Sequence, residues 1–192
     1  MYQKRNKELM VINLFRGDHK SRFYLREINK LSKLPLKTCQ NTLARLEEDK
    51  VLKSRVEGKN KYFSLNLENI KTKLYILQAE IYQTDLFIEK YPEFKMFLKG
   101  IKTTAPIIIF GSYAKFTADK NSDLDLLIIS EKKLKLPFHL LPLKPHQVEL
   151  TEETFLKALK EQETLIKEIE ENHIILNNHS FYVDTTWSYY EQ

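Results

Sequence analysis

Apolar positions recur at helical spacing through the first quarter of the chain and then switch to strand-like alternation. Residues 8–15 (Glu-Leu-Met-Val-Ile-Asn-Leu-Phe) predict a first helix that stops at Gly17. Residues 23–31 predict a short second helix, and Ser32 to Pro35 a turn. Residues 36–49 predict a third helix, with Leu36, Cys39, Leu43 and Leu46 on the buried stripe. Its outward positions are Lys37, Thr38, Gln40, Asn41 and Arg45. Residues 51–56 and 61–66 then alternate as two strands of a hairpin around Glu57-Gly58-Lys59-Asn60.

A long helix is expected from Leu67 to Ile101, broken at Pro92. Ile70, Leu74, Leu77, Ile81, Ile88 and Tyr91 form a three-four seam with Thr84 in the gap, and Tyr75 and Tyr82 lie on a neighbouring stripe. Either this helix is a connector packed on one domain, or residues 70–91 form the seam of a homodimer. Beyond it, Ile107 to Phe110 is a continuously apolar strand running into Gly111-Ser112, and Asp123 to Ile129 is a second strand. Residues 131–145 are rich in Lys, Leu and Pro and read as a loop. His146 to Leu150 alternates as a strand, and Thr151 is an N-cap for one helix from 152 to 171 burying Phe155, Leu156, Leu159, Ile166 and Ile169. Residues 174–176 and 181–183 read as turn-linked short elements, with Trp187, Tyr189 and Tyr190 capping an apolar edge. His139, His146, His173 and His179 show no metal-ligand spacing and read as surface or turn residues.

Composition narrows the setting. The 192 residues are 42% hydrophobic, with only four Gly and six Pro, which argues for packed cores rather than long disordered segments. The single cysteine cannot form an internal disulfide, the basic start lacks an apolar signal core, and no apolar run is long enough to span a membrane. A cytoplasmic protein with no membrane partner is expected. The charge is uneven: residues 1–67 carry 16 Lys and Arg against 7 Asp and Glu, a net +9, whereas the remainder carries 15 against 19. That split predicts two domains with different partners, the basic one facing nucleic acid.

The chemistry concentrates between Gly111 and Asp125. Side chains alternate along a strand, so Asp123 and Asp125 share a face while Leu124 and Leu126 take the other. Two neighbouring carboxylates repel unless a cation lies between them, and oxygen-only donors suit Mg²⁺. Gly111 permits a sharp turn after the preceding strand, and a helix starting beyond it would turn free N–H groups toward an anion. Phosphate on one side and metal on the other describe a nucleotide site.

Phe110-Gly111-Ser112, followed ten residues later by Asp123-Leu124-Asp125-Leu126, resembles the DNA polymerase β-type nucleotidyltransferase superfamily, and the Gly-Ser-Tyr-Ala-Lys form its minimal group. The resemblance implies a nucleoside triphosphate substrate, one or two Mg²⁺ ions on Asp123 and Asp125, and phosphate contacts from Gly111, Ser112 and Lys115. It also implies a third carboxylate on the next strand, for which Glu149 is the first candidate and Asp184 a distant one. Two departures stand out: Glu149 replaces the usual Asp, and Phe116 stands where Gly is frequent.

Residues 5–67 resemble a winged helix-turn-helix domain in the order and spacing of their elements. That implies double-stranded DNA as partner, with phosphate contacts from Lys53, Arg55, Lys59 and Lys61 and base-edge contacts from Lys37, Thr38, Gln40, Asn41 and Arg45. The expected fold is therefore α+β: a winged helix-turn-helix domain at 1–67, a connector helix at 68–101 and a nucleotidyltransferase-fold α/β domain with a mixed sheet at 102–192. The activity implied is transfer of a nucleoside monophosphate from NTP to an acceptor hydroxyl of a protein, small molecule or RNA, releasing pyrophosphate. The alternative is a transcriptional regulator or antitoxin-like partner that keeps the fold without the catalysis.

Overall fold

The computed structural model describes residues 2–191, and side chains from residue 6 onward. The chain divides into two compact units, residues 1–79 with 186–192 and residues 80–185. The division falls inside two helices, α4 (Ile70–Lys90) and the last helix, α9 (His179–Tyr190). No helix among the described residues is long and apolar enough to cross a membrane.

The first unit runs α1 (Tyr2–Ile12), β1 (Phe23–Tyr24), α2 (Leu25–Ser32), α3 (Leu36–Glu48), β2 (Leu52–Glu57) and β3 (Asn60–Leu65) before the start of α4. A short 3₁₀ turn, Asn13–Phe15, extends α1 towards Gly17. α2 begins where the Glu27 carboxylate accepts the Tyr24 backbone N–H at 2.9 Å. It stops at Lys33, which adopts a left-handed conformation (φ 57°). α3 follows Pro35, whose fixed φ suits a helix entry. Cys39, Leu43 and Leu46 are buried as expected, but Leu36 is 45% exposed. It occupies the first turn, next to Pro35, outside the packed stripe.

β2 and β3 pair antiparallel through a two-residue loop, Gly58-Lys59, with Gly58 at φ +60°. The two-residue strand β1, absent from the sequence expectation, adds to β3, giving the order β1-β3-β2. Val11, Ile12, Phe15, Ile28, Val51, Leu52, Phe63 and Leu65 complete this unit's core. The first turns of α4 are tied to it by the Thr72 hydroxyl, which donates to the Val51 carbonyl at 3.2 Å.

The second unit holds a four-stranded mixed sheet in the order β6-β5-β4-β7, built from β4 (Ile107–Phe110), β5 (Leu124–Ile129), β6 (Pro145–Leu150) and β7 (Ile174–Asn177). β4 is antiparallel to both β5 and β7, and β5 and β6 run parallel. The long helix ends at Lys90, before Pro92, and α5 (Phe94–Gly100) follows. One face of the sheet, with Ile107, Ile109, Leu124, Leu126, Ile174 and Leu176, packs on Phe87, Tyr91, Phe94 and Phe97. Thr84, within the expected seam, is buried, and its hydroxyl donates to the Ile175 carbonyl at 2.7 Å. Tyr91 is core as well, whereas Ile70, Leu74 and Ile81 are exposed.

The helix expected over 152–171 is two helices, α7 (Glu152–Glu161) and α8 (Thr164–Glu171), separated where Gln162 adopts φ 52°. Thr151 caps the first, accepting the Thr154 N–H at 3.1 Å. The segment 181–183 belongs to α9 rather than to a short separate element, and Asn178 (φ 57°) makes the turn into it from β7.

Candidate functional site

β4 delivers the chain into Gly111, and a single helical turn, α6 (Gly111–Ala114), follows at once. Gly111 has φ +68°, and a Cβ placed on it would collide with a carboxylate oxygen of Asp125. Both facts require glycine here: the left-handed backbone and the close approach of an acid from the neighbouring strand. Asp125 is the register partner of Phe110, so it stands beside the turn. The Tyr113 ring anchors the turn from below, 5.1 Å from the Tyr91 ring and 5.7 Å from Phe94. Burial, reinforced by nearby Glu93, raises the Tyr113 phenol above its ordinary pKa.

β5 begins at Leu124, one residue after Asp123. Leu124 and Leu126 are fully buried, which turns Asp123 and Asp125 to the opposite, site-facing side. Asp123 is exposed and Asp125 is 26% exposed at its side chain. The turn before Asp123 is closed by Asp119, whose carboxylate accepts the Asn121 N–H at 2.9 Å. Lys115 is exposed and lies 3.6 Å from the Glu168 carboxylate, an ion pair that leaves its amine in solvent.

Phe116 takes φ +59°, a conformation glycine adopts without cost and a bulky residue rarely adopts. Its carbonyl accepts from the Lys90 amine, and its ring stacks 6.4 Å from Tyr91. The unusual residue is thus held by packing beneath the turn.

Glu149 is not brought to the two aspartates. In the parallel β5–β6 ladder it partners Ile128, on the face opposite Asp125 and three residues, about 10 Å, further along. The residue beside Asp125 is His146, with Nδ1 3.3 Å from Asp125 Oδ1. His146 is exposed, as expected of a surface residue, and the register sets it beside Asp125; His173, also expected at the surface or in a turn, is instead buried, with Nε2 3.1 Å from the Glu80 carboxylate. Both strands start at the same end of the sheet, so the partner of an acid at the start of β5 must come from the start of β6. Asp184 is exposed on α9, not on a strand. Among the described residues, no three His, Cys, Asp or Glu side chains gather around one point as a preformed metal cluster. The donors still fit a divalent ion: two carboxylates on one face, with the glycine cradle against Asp125, match a dication that completes its shell with water and substrate phosphates.

In the first unit, Lys37, Gln40 and Asn41 are exposed on α3 and Thr38 is half-buried, as are the charges of the hairpin Lys53, Arg55 and Lys59 exposed. Two expected contacts are engaged by carboxylates of the same unit. Arg45 pairs with Glu8 at 2.7 Å, with side chains 39% and 5% exposed. Lys61 donates to Glu47 at 2.7 Å. Burial works to raise the Glu47 carboxyl, but hydrogen bonds from Lys61 and Ser54 outweigh it and hold the carboxyl below its usual range. A cleft of about 800 Å³ between α2, α3 and the hairpin is lined by Tyr24, Arg26, Gln40, Lys59 and Asn60 among others.

Residues 92–177 match the model of the family described as nucleotidyltransferase domain. No curated protein and no solved structure matches the chain. The matched segment starts before α5, ends at β7 and contains the Gly111-Ser112 turn, Asp123, Asp125 and His146. Over that segment the chain is similar to the nucleotidyltransferase domain.

Proposed function

We propose that the protein binds a nucleoside triphosphate with Mg²⁺ at Ser112, Asp123 and Asp125 and transfers its nucleoside monophosphate to an acceptor hydroxyl, releasing pyrophosphate. The observation that carries this reading is the fit of Gly111 against Asp125 inside a segment that matches the nucleotidyltransferase domain. When bound, the divalent ion would neutralise the phosphates and lower the pKa of the attacking hydroxyl. Asp123, just before β5, and Asp125, within it, would hold the ion. Ser112 and Lys115 orient the β- and γ-phosphates, so that the acceptor meets the α-phosphate in line with the leaving pyrophosphate.

The first unit, in this proposal, is a winged helix-turn-helix domain that binds double-stranded DNA. The element order, the β1-β3-β2 sheet and the net positive charge of residues 1–67 support it. Lys53, Arg55 and Lys59 contact phosphates; Lys37, Thr38, Gln40 and Asn41 face the bases. The exposed Ile70, Leu74 and Ile81 support a homodimer along α4.

A second reading has its own support. Glu149, the acid expected to complete the carboxylate set, lies on the face opposite Asp125, which favours a DNA-binding regulator that binds nucleotide without transferring it. The test is incubation of the full chain with α-labelled NTP, Mg²⁺ and, in turn, duplex DNA, RNA or a protein extract. Label transfer to one acceptor class, absent in Asp125→Asn, is expected. No transfer to any class by a folded, NTP-binding wild type selects the regulator.

A further inference from the structure

We infer that α5 and the crossover joining β5 to β6 form a phosphate-binding track that leads a single strand of nucleic acid to the nucleotide site, and that the acceptor is the strand's terminal 3′-hydroxyl. The inference rests on the nucleotidyl-transfer reading above and names the acceptor's chemical class.

Charge comes first. Residues 92–145 carry nine Lys against five Asp and Glu, a net +4, although Asp123 and Asp125 are among those acids; residues 146–192 carry three against ten, a net −7. Six of the nine are Lys95 and Lys99 on α5 and Lys132, Lys133, Lys135 and Lys144 on the crossover, all exposed. Among the described residues none of these six forms an ion pair, whereas Lys115 and Lys157 of the same unit pair with Glu168 and Glu161. Glu131, the crossover's own acid, is engaged at the start of α7, where it accepts the Glu152 N–H at 3.0 Å. Unneutralised like charges on one short segment repel, and a line of phosphates relieves that repulsion.

The course of the crossover comes second. Leu136, Phe138, Leu140, Leu141 and Leu143 pack against the core of this unit. The Phe138 ring stacks on Phe97 at 6.1 Å, and Gly100 lies so close to Pro137 that a Cβ there would stand 2.9 Å from its Cγ. With its apolar residues held inward, the crossover presents its lysines to solvent along a fixed path. That path starts after Ile129 and ends at Pro145, the register partner of Leu124 and so beside Asp123. It runs back along the length of β5, about 17 Å at about 3.3 Å per residue, and finishes at the mouth of the site.

The partner's chemistry follows. Lysine is a point charge without the planar fork that selects one anion geometry, so a row of lysines suits a regular line of phosphates. The row follows one path rather than the two backbones of a groove, which selects a single strand. Met96, 57% exposed and one turn from Gly100 on the same face of α5, offers a base an apolar surface beside that path. A nucleic-acid strand supplies the phosphates and, at its end, the hydroxyl. The 3′-oxygen bonds to the α-phosphorus as the bond from that phosphorus to the bridging oxygen breaks. Pyrophosphate leaves with the electron pair, the hydroxyl proton passes to water, and the strand is one nucleotide longer.

The test uses the full chain with short 5′-labelled single strands of RNA and of DNA. Fluorescence anisotropy across a salt series reads binding, and gels read extension with NTP and Mg²⁺. Extension of one or both strands is expected, the two arms showing which sugar is taken, and a 3′-deoxy end is expected to bind without being extended. The triple change Lys132→Ala, Lys133→Ala and Lys135→Ala is expected to lower the salt slope by about 2, at about 0.7 per contact, and extension about tenfold. Calorimetric NTP binding by that variant is expected to equal wild type, and circular dichroism verifies its fold. An unchanged salt slope in the triple variant, or label transferred to protein while neither strand is extended, overturns the inference and leaves the nucleotide site standing. A folded wild type that binds no NTP overturns the transfer reading and the acceptor with it.

Discussion

Gly111 and Asp125 occupy complementary space: the hydrogen side of the glycine is where the aspartate carboxylate sits, and a methyl group there would collide with it. The acid on β5 and the turn after β4 are therefore one unit of structure. Gly111→Ala meets both the positive φ and that collision. A destabilisation of about 1–3 kcal/mol is expected by urea denaturation, with loss of NTP binding at temperatures where the variant remains folded.

Phe116 reverses the usual order of alanine and glycine. With φ +59°, it carries backbone strain that its ring offsets by packing on Tyr91 and Phe87. Phe116→Ala removes the ring and keeps the strain, whereas Phe116→Gly removes both. The glycine variant should be the more stable of the two by about 1 kcal/mol, measured as the difference in unfolding free energy.

Tyr75 gives the first unit a pH limit. Burial, with the nearby Glu8 carboxylate as second cause, pushes its phenol up to about 12 from 10.0. Its hydroxyl donates to Glu8 at 3.2 Å. The folded state thus holds the proton more tightly than the unfolded chain. The contribution is whole below pH 10 and is lost as pH rises through the folded value of about 12. Unfolding measured from about pH 9 to about pH 12 should show this decline, and Tyr75→Phe should flatten it.

Arg45 separates folding from DNA contact. Its guanidinium forms an ion pair with the buried Glu8 carboxylate at 2.7 Å, so Arg45→Ala should destabilise the unit by about 1–3 kcal/mol, discounted from the value for a fully buried pair because Arg45 is partly exposed. Lys53→Ala and Arg55→Ala should leave stability within about 0.5 kcal/mol of wild type. Each should lower the salt slope of duplex binding by about 1, read by fluorescence anisotropy across a salt series. Unchanged slopes would remove the hairpin from the DNA surface.

Local patterns carried much of this fold. Alternation placed Asp123 and Asp125 on one face, Gly58 marked the hairpin, Pro92 marked the helix break, and Gly111 marked the turn. What local patterns did not carry was set by pairing across the chain. Glu149 is acidic and on the right strand, but the parallel register puts the start of β6, hence His146, beside Asp125. The signal was present in strand direction: parallel neighbours bring their first residues together. β1 is two residues long and exists only because β3 accepts it. The break at Gln162 and the turn at Asn178 use left-handed backbone at residues other than glycine, which composition does not announce.

Calorimetric titration of the folded chain with each NTP in the presence of Mg²⁺ tests the central claim most directly, comparing wild type with the double change Asp123→Asn and Asp125→Asn. One NTP per chain bound in the micromolar range, about −8 kcal/mol, and abolished by the double change, is the expected result. Equal binding by both proteins, or none by the wild type, would contradict a metal–nucleotide site on β5.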